Sequence, residues 1–144
     1  MVDTKYLESI EPSFLLQRLI EQYLKQDRLI IAYDFDDTVS PYVCSSCSEV
    51  QSVLRMSRDF LGAYFIVYTC NPNIEKIKEF LDYYKLPYDS INAAAPFSPL
   101  QPNTIGEKLY YNLLLDDKAG LGEATAALKT LNRLVYQGVI KKNV

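Results

Sequence analysis

The chain has 144 residues, 49% of them hydrophobic and 23% charged, with a formal net charge of −3. That length and balance predict one soluble globular domain over residues 1–144, large enough to bury a core, and exclude a disordered chain. No apolar run approaches a bilayer span, three Cys do not make a disulfide framework, and the absence of His excludes Ser-His-Asp, Cys-His and His-ligated metal chemistry.

The start, Met1-Val-Asp-Thr-Lys5, has no basic flank followed by an apolar segment, so no secretory signal and a cytoplasmic location are expected. The negative net charge disfavours nucleic acid and anionic membranes as partners, because both call for a basic face.

Leu16, Leu19, Ile20, Tyr23 and Leu24 recur at helical spacing and predict an N-terminal helix over about 12–26, with Pro12 in its first turn. Leu29 to Tyr33 is an almost wholly apolar run that closes on Asp34, as in a parallel strand covered on both faces. Ser40 to Ser48 is irregular and carries Tyr42 and Cys44-Ser-Ser-Cys47. With Cys70 the only other thiol and no His, the ligands for a structural zinc are lacking, so the pair reads as two thiols in a flap. A helix follows from about Glu49, with Val50, Val53, Leu54 and Leu61 on one side.

Ala63 to Tyr68 is a second buried run, ending at Thr69. Asn71-Pro72 predicts a helix start, with Asn as cap and Pro in the first helical position, and Ile74, Ile77, Leu81 and Tyr84 facing inward. A weaker strand is expected over Tyr88 to Asn92, before an irregular stretch from Ala93 to Asn103. Asn112 to Leu115 is a further apolar run and ends in Asp116-Asp117. The last helix is expected over Leu121 to Tyr136, with Leu128, Leu131 and Val135 inward. Strands alternating with helices predict an α/β fold, a three-layer Rossmann-like sandwich with a central parallel sheet. Ligands of such sheets bind at the carboxyl ends of the strands.

Asp34, Asp36, Asp116 and Asp117 converge on one mouth if the first and last strands are neighbours. Two like charges 4 Å apart repel by about 4 kcal/mol at an effective dielectric of 20. Such a cluster takes up protons or a hard divalent cation, and Mg²⁺ suits carboxylates shared with a substrate phosphate. The Asp-x-Asp spacing also lets Asp34 attack phosphorus while Asp36 gives a proton to the leaving oxygen and later takes one from water.

Ile30 to Val39, with Asp34-Phe-Asp36-Asp-Thr38 after a hydrophobic strand, resembles the first motif of the haloacid dehalogenase (HAD) superfamily. Phe65 to Thr69 is similar to its second motif and Leu113 to Asp117 to its fourth, in the right order. The likeness covers about Leu29 to Leu121 and is nearest to short, capless members of phosphatase type. It implies a Mg²⁺-dependent phosphomonoester hydrolase with Asp34 as nucleophile and Asp36 as general acid and base. It further implies phosphoryl binding by Thr69 with Cys70 and Asn71, and Mg²⁺ on Asp34, the Asp36 backbone carbonyl, and Asp116 or Asp117.

Three places depart from the family pattern. Asp37 stands where Gly is common, and Thr-Cys-Asn and Asp-Asp-Lys replace the Thr-Cys-Arg-like and Asp-Asp-Arg-like ends of relatives. For the third-motif Lys, Lys108 fits the spacing of short relatives and Lys118 is nearer along the chain. The loop from Asp37 to Glu49 is too short for a folded cap, so the open site suits a large phosphorylated partner or a small one covered by an oligomer neighbour. The alternative is a HAD-fold binding or regulatory module that has lost turnover; a thiol protein built on Cys44 and Cys47 is a third reading.

Overall fold

The computed structural model describes residues 13–42, 47–100 and 108–142. Helix α1 (Phe14–Lys25) begins at Ser13, whose hydroxyl accepts the Leu16 N–H at 3.0 Å and satisfies one donor that the helix itself cannot pair. Pro12 lies outside the described residues. Strand β1 (Ile30–Tyr33) is buried throughout. It leads to α2 (Ser48–Leu61), β2 (Tyr64–Val67), α3 (Ile74–Tyr83), the short β3 (Ser90–Ile91), β4 (Leu113–Leu115) and α4 (Leu121–Tyr136). Helix α2 stops at Gly62, whose φ of 61° is a left-handed conformation that glycine adopts without steric cost.

The four strands form one parallel sheet in the order β3-β2-β1-β4. From β1 the chain winds through β2 to β3 on one side, then crosses back over the sheet to place β4 on the other side of β1. Alternate strand residues face opposite ways. Ile31, Tyr33, Phe65, Val67, Leu113 and Leu115 point to a core that takes in buried residues of all four helices, among them Leu19, Leu54, Ile77 and Leu128. Right-handed crossovers put α2 and α3 on this same face.

Ile30, Ala32, Tyr64 and Ile66 point the other way. They are covered by Ala95 and Leu109, with Ala94, Tyr110 and Tyr111 at the margin. The α/β class and the central parallel sheet are therefore as expected, and both sheet faces are covered. Among the described residues, however, every helix lies on one face, and the cover of the second face is irregular chain. The described parts of the return from β3 to β4 lie on that face through Ala95 and Leu109, and its Ala-Ala-Ala-Pro and Ser-Pro stretches carry no helical period.

Three local expectations are corrected. Helix α3 starts at Ile74 with Asn73 as cap, because the Asn71 side chain accepts the Asn73 N–H at 2.9 Å and holds the chain in a turn before the helix. Tyr84 follows the end of α3 and is 41% exposed, while Ile77 and Leu81 fill the inward face. Cys47 is buried at the start of α2 and so is not a flap thiol; Cys44 lies outside the described residues. No helix among the described residues is long and apolar enough to cross a membrane.

Candidate active site

The order of the strands reverses between β1 and β4, so the chain leaves their carboxyl ends in opposite directions and opens a crevice there. Tyr33 is in register with Leu115, and the Asp34 N–H donates to the Leu115 carbonyl at 2.9 Å. The next residues, Asp34 and Asp116, therefore emerge side by side.

After Asp34 the chain turns tightly. The Phe35 carbonyl accepts the N–H groups of Val39 and Ser40, both at 3.1 Å, and the Asp37 N–H donates to the Ser40 carbonyl at 2.8 Å. Asp37 sits at φ 60°, a left-handed conformation that Asp adopts more readily than most residues. That geometry explains why Gly suits this place. The turn folds Asp36 back so that it lines the same cleft as Asp34. Thr38 is wholly buried, and its hydroxyl accepts the Asp117 N–H at 3.1 Å, tying this turn to the loop after β4. In that loop Asp116 Oδ1 accepts the Lys118 N–H at 3.0 Å.

The loop after β2 is held from both sides. Asn92, just past β3, accepts the Thr69 N–H at 2.9 Å and donates its amide to the Thr69 carbonyl at 2.8 Å. Thr69 Oγ1 accepts the Asn71 N–H at 3.0 Å. The Asn73 N–H occupies Asn71 Oδ1, which orients the Asn71 amide so that Nδ2 donates to Asp36 Oδ2 at 3.2 Å. A continuous set of hydrogen bonds thus runs from the end of β3 through Thr69 and Asn71 to Asp36.

The result is an open cleft of about 1050 Å³. Asp34, Asp36, Thr69, Cys70, Asn71, Asp116, Asp117 and Lys118 all line it. Lys108, the preferred third-motif lysine, is exposed and is not among the lining residues. Four residues separate Lys108 from the start of β4, and the first of them, Leu109, is buried against the second face. Lys118, nearer along the chain, lines the cleft.

Asp34, Asp116 and Asp117 each bring a carboxylate oxygen within 4.8 Å of the others. Asp36 is outside this set and is engaged by Asn71 instead. Burial pushes the Asp34 carboxyl up to about 6, and the Asp116, Asp117 and Asp36 charges add to the rise against the pull of the Phe35 N–H.

Thr38 and Asn92 have positions in the sequence reading but no role there. Thr38 is the last residue of Asp-x-Asp-x-Thr, so its signal was present in the motif. Asn92 reaches a partner 23 residues away across a strand pairing, and no local pattern marks it. Replacing Thr38 by Val keeps the volume but leaves the Asp117 N–H without its acceptor. We expect a loss of about 1–2 kcal/mol in urea denaturation, mostly restored by Ser.

No protein-family model matches this chain, no curated protein matches it in sequence, and no solved structure matches it significantly.

Proposed function

We propose that this protein is a Mg²⁺-dependent phosphomonoester hydrolase of haloacid dehalogenase type, acting through an aspartyl-phosphate on Asp34. The observation that carries this reading is the meeting of the Asp34, Asp116 and Asp117 carboxylates at the crevice between β1 and β4, with Asp36 and Thr69 on the same cleft. The family likeness of the three motifs adds to it. On this reading the irregular chain over the second sheet face takes the place of the third layer of the sandwich, and the enzyme works in the cytoplasm.

The donor set fits Mg²⁺. It consists of hard carboxylate oxygens with no thiolate or imidazole among them. Burial raises Asp34, and the neighbouring Asp116, Asp117 and Asp36 charges add to the rise. Asp34, Asp116 and Asp117 would hold the ion, with the Asp36 carbonyl as the further ligand the family likeness suggests. Bound there, it would offset part of the negative charge of the acidic mouth and polarise a phosphoryl oxygen.

The chain's own groups divide the reaction. An Asp34 oxygen forms a bond to phosphorus as the bond to the leaving oxygen breaks, and Asp36 delivers its proton to that oxygen. Asp36 then takes a proton from water as the water oxygen attacks phosphorus and releases Asp34 and phosphate. Thr69 accepts from the Asn71 N–H and keeps its own hydroxyl proton for a phosphoryl oxygen. Lys118 supplies positive charge at the cleft edge. Asn71 holds Asp36 in place, so Asn71→Ala should lower kcat about tenfold while KM changes by less than threefold, because misplacing an acid–base group costs rate rather than binding. Lys118→Ala should raise KM several-fold, and Lys108→Ala should leave both constants unchanged.

Hydrolysis of p-nitrophenyl phosphate with Mg²⁺ present, and its loss in Asp34→Asn, tests the proposal. The second reading, a binding or regulatory module, is favoured by one observation: the exposed Lys118 is the single cation among the described residues of the cleft. Wild-type protein inert toward a panel of phosphomonoesters with Mg²⁺ present would establish that reading instead.

A further inference from the structure

The cleft is far larger than a phosphate, and its remaining walls show what must lie beyond the phosphorus. Among the described residues five carboxylates line it, those of Asp34, Asp36, Asp37, Asp116 and Asp117, against the single Lys118 ammonium. A divalent cation leaves this balance negative. A leaving group with its own negative charge is therefore repelled.

The non-acidic walls are of another kind. Tyr42 enters from the turn after β1 and is 81% exposed, and Tyr68 enters from the end of β2 and is 37% exposed. Pro72 and Leu114 also line the cleft. Both tyrosines stand on fixed backbone. The Tyr42 N–H donates to Asp37 Oδ1 at 2.9 Å, and the Tyr68 N–H donates to the Tyr33 carbonyl at 2.8 Å. Two exposed rings on pinned backbone beside an acidic mouth offer flat, electron-rich surface to an uncharged ring.

We infer that the cleft selects phosphomonoesters whose leaving group is aromatic and carries no negative charge, with Tyr42 and Tyr68 as its contact surface. This rests on the hydrolase reading and names the substrate class of the same site. Polyphosphates, bisphosphates and esters of acidic alcohols are excluded by the charge of the walls. Sugar phosphates are accommodated but gain nothing from the rings.

Benzyl phosphate and 4-carboxybenzyl phosphate test the charge rule, because their leaving alcohols are nearly equal in reactivity and differ in charge. With wild-type protein and Mg²⁺, kcat/KM should be at least fivefold higher for benzyl phosphate, and the gap should narrow in high salt. Ethyl phosphate tests the rings. Tyr42→Ala and Tyr68→Ala should each raise KM for benzyl phosphate several-fold and leave KM for ethyl phosphate unchanged. Equal kcat/KM for the benzyl pair, or equal effects of the Tyr variants on benzyl and ethyl phosphate, overturns the inference and leaves the hydrolase reading standing. Absence of turnover on all three esters overturns both.

Discussion

Asp34→Asn is expected to lower phosphomonoester turnover by about 10⁴-fold or more, the scale on which loss of an essential nucleophile is felt. The same variant should not lose stability. Asn is isosteric and uncharged, and it removes from the crevice a carboxyl that burial and three neighbouring acids hold at about 6. At pH 7.5 without metal, its Tm should lie above that of the wild type, while the Mg²⁺-induced rise in Tm should shrink. Activity and stability then move in opposite directions. A residue whose role was only structural would lose both.

The second large effect is the joint dependence of stability on pH and Mg²⁺. The Asp34 carboxyl is raised from its ordinary value of 3.8 to about 6 in the folded protein. The folded state therefore binds this proton more tightly than the unfolded chain does. Below about pH 4 the group is protonated in both states and costs nothing. As pH rises from about 4 to 6, the unfolded chain ionises first and stability falls. Above about 6 the full cost is present. In chelator, the Tm advantage of Asp34→Asn over wild type should thus be present at pH 7.5 and vanish near pH 4. A ligand of the native state adds RT ln(1 + [L]/Kd), about 1.4 kcal/mol at ten times Kd. Saturating Mg²⁺ at pH 7.5 should accordingly raise the wild-type Tm by several degrees and have less effect at pH 4.5. A flat response to Mg²⁺ at both pH values contradicts the assignment of the three carboxylates to a cation.

Much of this molecule was legible because its parallel strands are buried on both sides. The runs ending in Asp34, Thr69 and Asp116 have almost no polar residue, which left few alternatives to central strands and fixed which end would carry chemistry. Helix α4 matches its expected span of Leu121 to Tyr136 because Gly120 and the Gln137-Gly138 pair bracket a clear apolar period. The start of α3 was misplaced because Asn caps helices and also closes short turns, and Asn71 does the second. The cover of the second sheet face was not legible, because irregular chain has no period to read.

Within the site, the acids were legible as residues that follow strands, since strand order alone brings them together. The likeness to short relatives favours Lys108 and nearness along the chain favours Lys118; of the two, Lys118 lines the cleft. The hydrogen bonds of Asn92 to Thr69 and of Thr38 to Asp117 join residues 23 and 79 positions apart. Only the folded sheet makes such pairs neighbours. Asn71 lines the cleft, as the sequence reading has it, and its bond to Asp36 is a further contact that no local pattern marks.

The most direct test is chemical capture of the phosphorylated residue. Wild-type protein turning over p-nitrophenyl phosphate with Mg²⁺ is quenched into borohydride, which reduces an acyl phosphate to an alcohol, and the peptides are weighed. Homoserine is expected in place of Asp34, dependent on both Mg²⁺ and substrate. Turnover with Asp34 unmodified, or with the reduced residue at any other acid of the cleft, would contradict Asp34 as the nucleophile.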